Sequence, residues 1–155
     1  MPIGQTKRTI LLADDNLDDA DLFRRAVRAG GFENPFHAVH SAAAAINYLR
    51  GEGQYADRSK FPLPHLLLLD PNLPGQSGWE VLRWVRERPE LGALVVIMLG
   101  GDGSPADKEM ARRLGANACH PKPSTTEDLE RLVKRLCEFW LLGGSARGGP
   151  SVNDE

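Results

Sequence analysis

A chain of 155 residues has room for one domain with a proper core and too little for two ordinary ones. Hydrophobic residues at 41% and charged ones at 26% are ordinary for a globular fold in water, and a formal net charge of −2 gives no general attraction for nucleic acid or anionic lipid. No apolar run approaches the roughly 20 residues of a membrane span, "MPIGQTKR" lacks a signal's apolar core, and Cys119 and Cys137 alone make neither a disulfide framework nor a zinc site, so a cytoplasmic protein is expected.

Five apolar, β-rich runs alternate with helical patterns, which predicts an α/β domain on a five-stranded parallel sheet. The first strand is "TILLA" (9–13). A helix over 17–29 follows, with Asp18 and Asp19 suited to its positive first turn and Gly30-Gly31 at its end. "PFHAVH" (35–40) is the second strand, with a helix over 42–50, and "GEGQYADRSKFPLP" (51–64) is a long loop. "HLLLL" (65–69) is the third strand. Ser77 and Glu80, at capping-box spacing, open a helix over 77–87 that Pro89 closes. "LVVIML" (94–99) precedes a helix over 105–114 that starts at Pro105 with Ser104 as its cap. "NACH" (117–120) is the fifth strand, and Thr125 with Asp128 opens a last helix reaching 141. Three strands lack in–out alternation, as central strands covered on both faces do. The domain is expected over 9–142, between a short arm (1–8) and a tail (143–155) too poor in apolar residues to fold.

Ligands of an open parallel sheet bind beyond the carboxyl ends of its strands. Strand one ends there in Asp14-Asp15, strand three in Asp70, strand four in Gly100-Gly101-Asp102, and strand five in Pro121-Lys122-Pro123. Any one of these acids alone reads as a solvated loop charge. Three acids that converge raise one another's pKa unless a cation joins them. Their oxygens suit a hard cation such as Mg²⁺. His37, His40, His65 and His120 fall into no metal spacing and are expected at the surface or at strand ends.

"ILLADDN", "LLLLDPNLPGQSGWEVL" and "LGANACHPKP" resemble the three motif blocks of response-regulator receiver domains, over roughly residues 8 to 142. These are doubly wound (βα)5 flavodoxin-like phospho-acceptors of two-component signalling, and not enzymes beyond self-catalysed phosphotransfer. The long loop and the "CEFWLLGG" ending resemble, more narrowly, stand-alone regulators paired with phytochrome-type histidine kinases. The resemblance implies that Asp70 takes a phosphoryl group from a sensor histidine kinase, a bacteriophytochrome in the narrower reading. It implies that Asp14, Asp15, Asp70 and the main-chain carbonyl of Asn72 hold Mg²⁺. It further implies that Lys122 pairs with the carboxylate and then the phosphoryl group, across a cis Lys122-Pro123 bond.

Two positions depart from that family's pattern. The hydroxyl residue at the end of strand four falls on Gly100, and the aromatic switch three residues before the lysine is Cys119. Backbone N–H groups of Gly101 to Gly103, or the Ser104 hydroxyl, are the available replacements for the lost donor. In the last helix Leu129, Leu132, Val133, Leu136, Cys137, Trp140 and Leu141 form a core-facing stripe, with Phe139 and Leu142 outside it. Phe139, Trp140 and Leu142 are the expected seam of a homodimer, as the phytochrome-partnered relatives suggest.

Three functions compete. The leading one is a single-domain regulator, since residues 143–155 are too few for a DNA-binding module. The alternative is a pseudo-receiver acting as an unphosphorylated scaffold, motivated by Gly100 and Cys119. A flavodoxin-like cofactor protein is disfavoured, because acids and no phosphate-cradling loop follow strand one.

Overall fold

Four consecutive leucines suit a strand covered on both faces, and β3 (Pro64–Leu69) is the middle strand of the sheet. A computed structural model of the chain describes residues 8–143. Strands β1 (Thr9–Ala13), β2 (Phe36–Val39), β3, β4 (Val95–Leu99) and β5 (Ala118–His120) pair in parallel in the order β2-β1-β3-β4-β5. The helices between and after them are α1 (Leu17–Ala29), α2 (Ala42–Arg50), α3 (Gly78–Arg86), α4 (Pro105–Leu114) and α5 (Thr126–Cys137). The expected doubly wound (βα)5 domain is therefore observed.

Residue parity sorts the core into two layers. Ile10, Leu12, Leu66, Leu68 and Ile97 pack with Phe23 and Val27 of α1 and with Leu132 and Leu136 of α5. Leu11, Leu67, Leu69 and Val96 pack on the other face with Tyr48 of α2 and with Val81 and Leu82 of α3. Each buried leucine of β3 contributes about 1.5–3 kcal/mol, so this strand is a firmly anchored support for the residue that follows it.

Local chemistry starts the helices where the sequence predicts. The side chains of Ser77, Ser104 and Thr125 accept from the N–H of Glu80, Asp107 and Asp128 at 3.3, 3.1 and 3.1 Å. Asn16 and Ser41 do the same for Asp19 and Ala44 at 3.0 and 3.1 Å, two caps not singled out from the sequence. Pro89, expected to close α3, instead opens a short 3₁₀ turn (Pro89–Leu91) after Glu87 has capped the helix.

The long loop before β3 is tied down. The Arg58 guanidinium donates to the carbonyls of Tyr48, Leu49 and Phe61 at 2.8, 2.9 and 3.0 Å. The Tyr48 hydroxyl donates to Pro62 O at 2.8 Å, and the rings of Tyr48, Tyr55 and Phe61 lie 5.0–5.9 Å apart.

The chain after Cys137 departs from expectation. Glu138–Gly143 continues as a π-helical turn, with the adjacent Trp140 and Leu141 both buried. Trp140 was expected both in the core-facing stripe and on a dimer seam; at 1% exposure it fills the protomer's own interior, as the stripe requires, and offers no surface to a partner. Phe139 packs edge-on to Trp140 and is half-buried, while Leu142 is 71% exposed. His65 Nε2 donates to the Trp140 carbonyl at 3.0 Å, and Arg8 reaches the carbonyls of Trp140 and Leu141. The expected arm and tail lie, but for Arg8 and Gly143, outside the described residues. Among the described residues no helix is long and apolar enough to cross a membrane.

Candidate functional site

The register of β1 on β3 builds the site. Ala13 pairs with Leu69, and the Asp70 N–H donates to Ala13 O at 3.0 Å, so Asp14 and Asp70 leave the sheet side by side. This is the switch point, where the chain order reverses about β1. Asp14 and Asp70 are buried and Asp15 is exposed, and one carboxylate oxygen from each lies within 4.8 Å of the others.

Each buried acid has one oxygen held by a backbone N–H and the other by Lys122. Asp14 Oδ1 accepts from the Asn16 N–H at 2.9 Å, and Asp70 Oδ1 from the Asn72 N–H at 2.8 Å. Lys122 Nζ, carried in from the end of β5, donates to Asp14 Oδ2 at 2.8 Å and to Asp70 Oδ2 at 3.1 Å. The Lys122-Pro123 bond is trans, contrary to the cis form expected. The four-carbon stem of lysine spans the distance without that bend. Gly78, at the start of α3, lies so close under the Asp70 carbonyl that a Cβ could not fit, and its N–H donates to Pro71 O at 2.8 Å.

Burial pushes the Asp70 carboxyl above its ordinary pKa, against the Asn72 N–H and the Lys122 charge, which pull it down. Burial alone would lower the Lys122 pKa. Hydrogen bonds to Asp14 and Asp19 and the charges of Asp70 and Asp14 overcome that and hold it above the ordinary lysine value.

Asp19 is the residue that sequence reasoning missed. Read only as a first-turn acid of α1, it also accepts from Lys122 Nζ through Oδ2 at 3.0 Å. The available signal was position: Asp19 stands one helical turn beyond Asp15, on the turn that faces the crevice.

The departures at 100 and 119 have physical content. Gly100 has φ +147°, and a Cβ there would stand 2.7 Å from Cδ of the Pro71 ring. The Ser104 hydroxyl, one candidate replacement donor, is turned to cap α4. Cys119 is 1% exposed, packed in the layer that holds Met98 and Ala111.

Three acids and a lysine thus meet at the ends of β1, β3 and β5. The model of the response regulator receiver domain matches residues 10–134. The chain belongs to that family. This receiver domain is similar to the response regulator Rcp1 of Synechocystis sp., at 28% identity over 134 residues covering 86% of this chain and 89% of Rcp1. It superposes on the phosphorylated cyanobacterial phytochrome response regulator RcpA with a TM-score of 0.81 at 31% identity, covering 90% of this chain and 98% of RcpA. On the Mn²⁺-bound form of response regulator Rcp1 the TM-score is 0.78 at 28% identity, with 89% of this chain and 97% of that one covered. Phosphorylation on an aspartate is general among receiver domains, and they bind Mg²⁺ at an acidic pocket. The oxygen donors of Asp14, Asp15 and Asp70 fit a hard cation of that kind.

Proposed function

We propose that this receiver domain accepts a phosphoryl group on Asp70 from a sensor histidine kinase of the phytochrome type. The observation that carries the reading is Lys122 Nζ bridging Asp14 and Asp70 at 2.8 and 3.1 Å, with Asp15 beside them. A carboxylate oxygen of Asp70 attacks phosphorus of a phosphohistidine. The new O–P bond forms as the P–N bond breaks, and the imidazole nitrogen leaves with the bonding pair and takes a proton from solvent. Lys122 then transfers its hydrogen bond from the carboxylate to a phosphoryl oxygen. Asp14, Asp15, Asp70 and the Asn72 carbonyl would hold Mg²⁺. A divalent cation bound there supplies charge neutralisation for the phosphoryl oxygens.

Phytochrome partnership draws its support from the similarity to Rcp1 and RcpA. A homodimer through the end of α5 draws on less than the sequence implied: exposed Leu142 and half-buried Phe139. The competing scaffold reading draws on Gly100 and Cys119. Incubation with acetyl phosphate and Mg²⁺, followed by intact mass, separates them. A base-labile gain of one phosphoryl group supports the acceptor; no gain favours the scaffold.

A further inference from the structure

Lys122 serves three carboxylates, and only two of them follow directly on strands. Asp19 belongs to the first turn of α1, and its Oδ2 takes Nζ at 3.0 Å, within the range of the bonds to Asp14 and Asp70. The side chains of Asp19 and Lys122 are 28% and 27% exposed, so water screens this pair less than it does a surface ion pair. An ammonium has three protons to give, and three acids take them all.

A phosphoryl group arriving on Asp70 brings oxygens that need one of those protons. Asp14 is buried and fixed through its other oxygen by Asn16, so it is poorly placed to yield. Asp19 has solvent on one side and is the partner that can release. It also adds a fourth negative charge to a crevice into which an anionic phosphodonor must enter.

We propose that Asp19 is a positioning residue that competes with the arriving phosphoryl group for one Lys122 proton and so slows phosphate uptake by Asp70. The proposal rests on Asp70 being the acceptor. With acetyl phosphate as donor, an Asp70 oxygen bonds to phosphorus while the donor's P–O bond breaks and acetate leaves with the electron pair. Asp19 exchanges no atom in this step; it sets how readily Nζ turns to the phosphoryl oxygens.

The test compares labelling rates of wild type, Asp19→Asn and Asp18→Asn by intact mass, with acetyl phosphate and Mg²⁺. Asp18 is exposed, lies one residue away and does not bond Lys122, so its variant removes the same formal charge without the contact. Asp19→Asn should label faster by roughly two- to fivefold, the rate ratio equivalent to a partly exposed ion pair, while Asp18→Asn stays close to wild type. Equal rates in the two variants, or slower labelling of Asp19→Asn, overturn the proposal. A second arm needs no phosphorylation: carbon relaxation at the Lys122 ε-methylene should show wider motion in Asp19→Asn than in Asp18→Asn. Unchanged motion also overturns it. Absence of labelling in every protein would instead overturn the acceptor assignment, leaving the relaxation arm to decide whether Asp19 holds the lysine.

Discussion

The ring of Pro71 occupies the space that a side chain at position 100 would need. A Cβ on Gly100 would stand 2.7 Å from Pro71 Cδ, 3.2 Å from Cγ and 3.3 Å from Asp70 Oδ1. The proline after Asp70 and a side chain at position 100 thus exclude one another.

Gly100→Thr should therefore not restore a switch by itself. Overpacking against Pro71 and a side chain at φ +147° should together cost roughly 2–5 kcal/mol in denaturant unfolding. Adding Pro71→Ala should recover the overpacking part, about 1–3 kcal/mol, a clear non-additivity. A single variant as stable as wild type would show that the β4–α4 loop simply moves aside.

Asp70→Asn should take no phosphoryl group and should melt no lower than wild type near neutral pH. Burial raises the Asp70 pKa above its unfolded value, so the folded state binds the extra proton, and stability falls as pH rises through that window. An amide removes that penalty. A clearly lower melting temperature would mean the Lys122 contact outweighs burial.

Phosphorylation should alter the output face only slightly. A hydrogen bond to a charged group contributes about 1.5–3 kcal/mol, and Gly100 offers no hydroxyl to make it. Cys119, already packed at 1% exposure, has no ring to swing into vacated space. Amide exchange over residues 105–141 should change little on labelling, as fits a phosphate carrier or a regulator that needs its partner to complete the change. Large protection changes there would point to the backbone of Gly101 to Gly103 as the replacement donor.

Most of this architecture was legible because local signals agreed. Serine caps and the leucine run placed α3, α4 and β3 within a residue or two of their observed bounds. The acids and the lysine followed from strand ends alone. What escaped were contacts between segments distant in sequence. Nothing near Asp19 announces a lysine 103 residues on, and nothing near Pro71 announces Gly100. Trp140 was legible as a core residue from the three-and-one spacing of the last helix, and its 1% exposure removes it only from the dimer seam.

The dimer proposal now rests on a small patch. Phe139→Asp or Leu142→Asp should move sedimentation toward monomer, with Leu142→Asp leaving the fold intact because that side chain is 71% exposed. Wild type sedimenting as a monomer at tens of micromolar, a rough range for weak interfaces, would remove the proposal.

Stability should decline as the medium turns mildly acidic. Burial, with Arg8 nearby, lowers the His65 pKa against the opposing bond to the Trp140 carbonyl, and burial with Arg24 lowers that of His37. Folded values below the unfolded one mean the unfolded chain binds more protons as pH falls through 6.5, so stability is lost on that side. The unfolding midpoint should drop between about pH 7.5 and about pH 5.5, and drop less in His65→Gln. An equal drop would place the sensitivity elsewhere.

Arg58 has a consequence for recognition. Fixing a residue's backbone costs about 1–2 kcal/mol in conformational entropy, and a free loop would bear that cost when a partner docks. Here one planar guanidinium collects three carbonyls from α2 and from the loop itself, so the segment before β3 is ordered before any encounter. A partner reading that face would meet a surface with little freedom left to lose, and its affinity would depend on one arginine that it never touches.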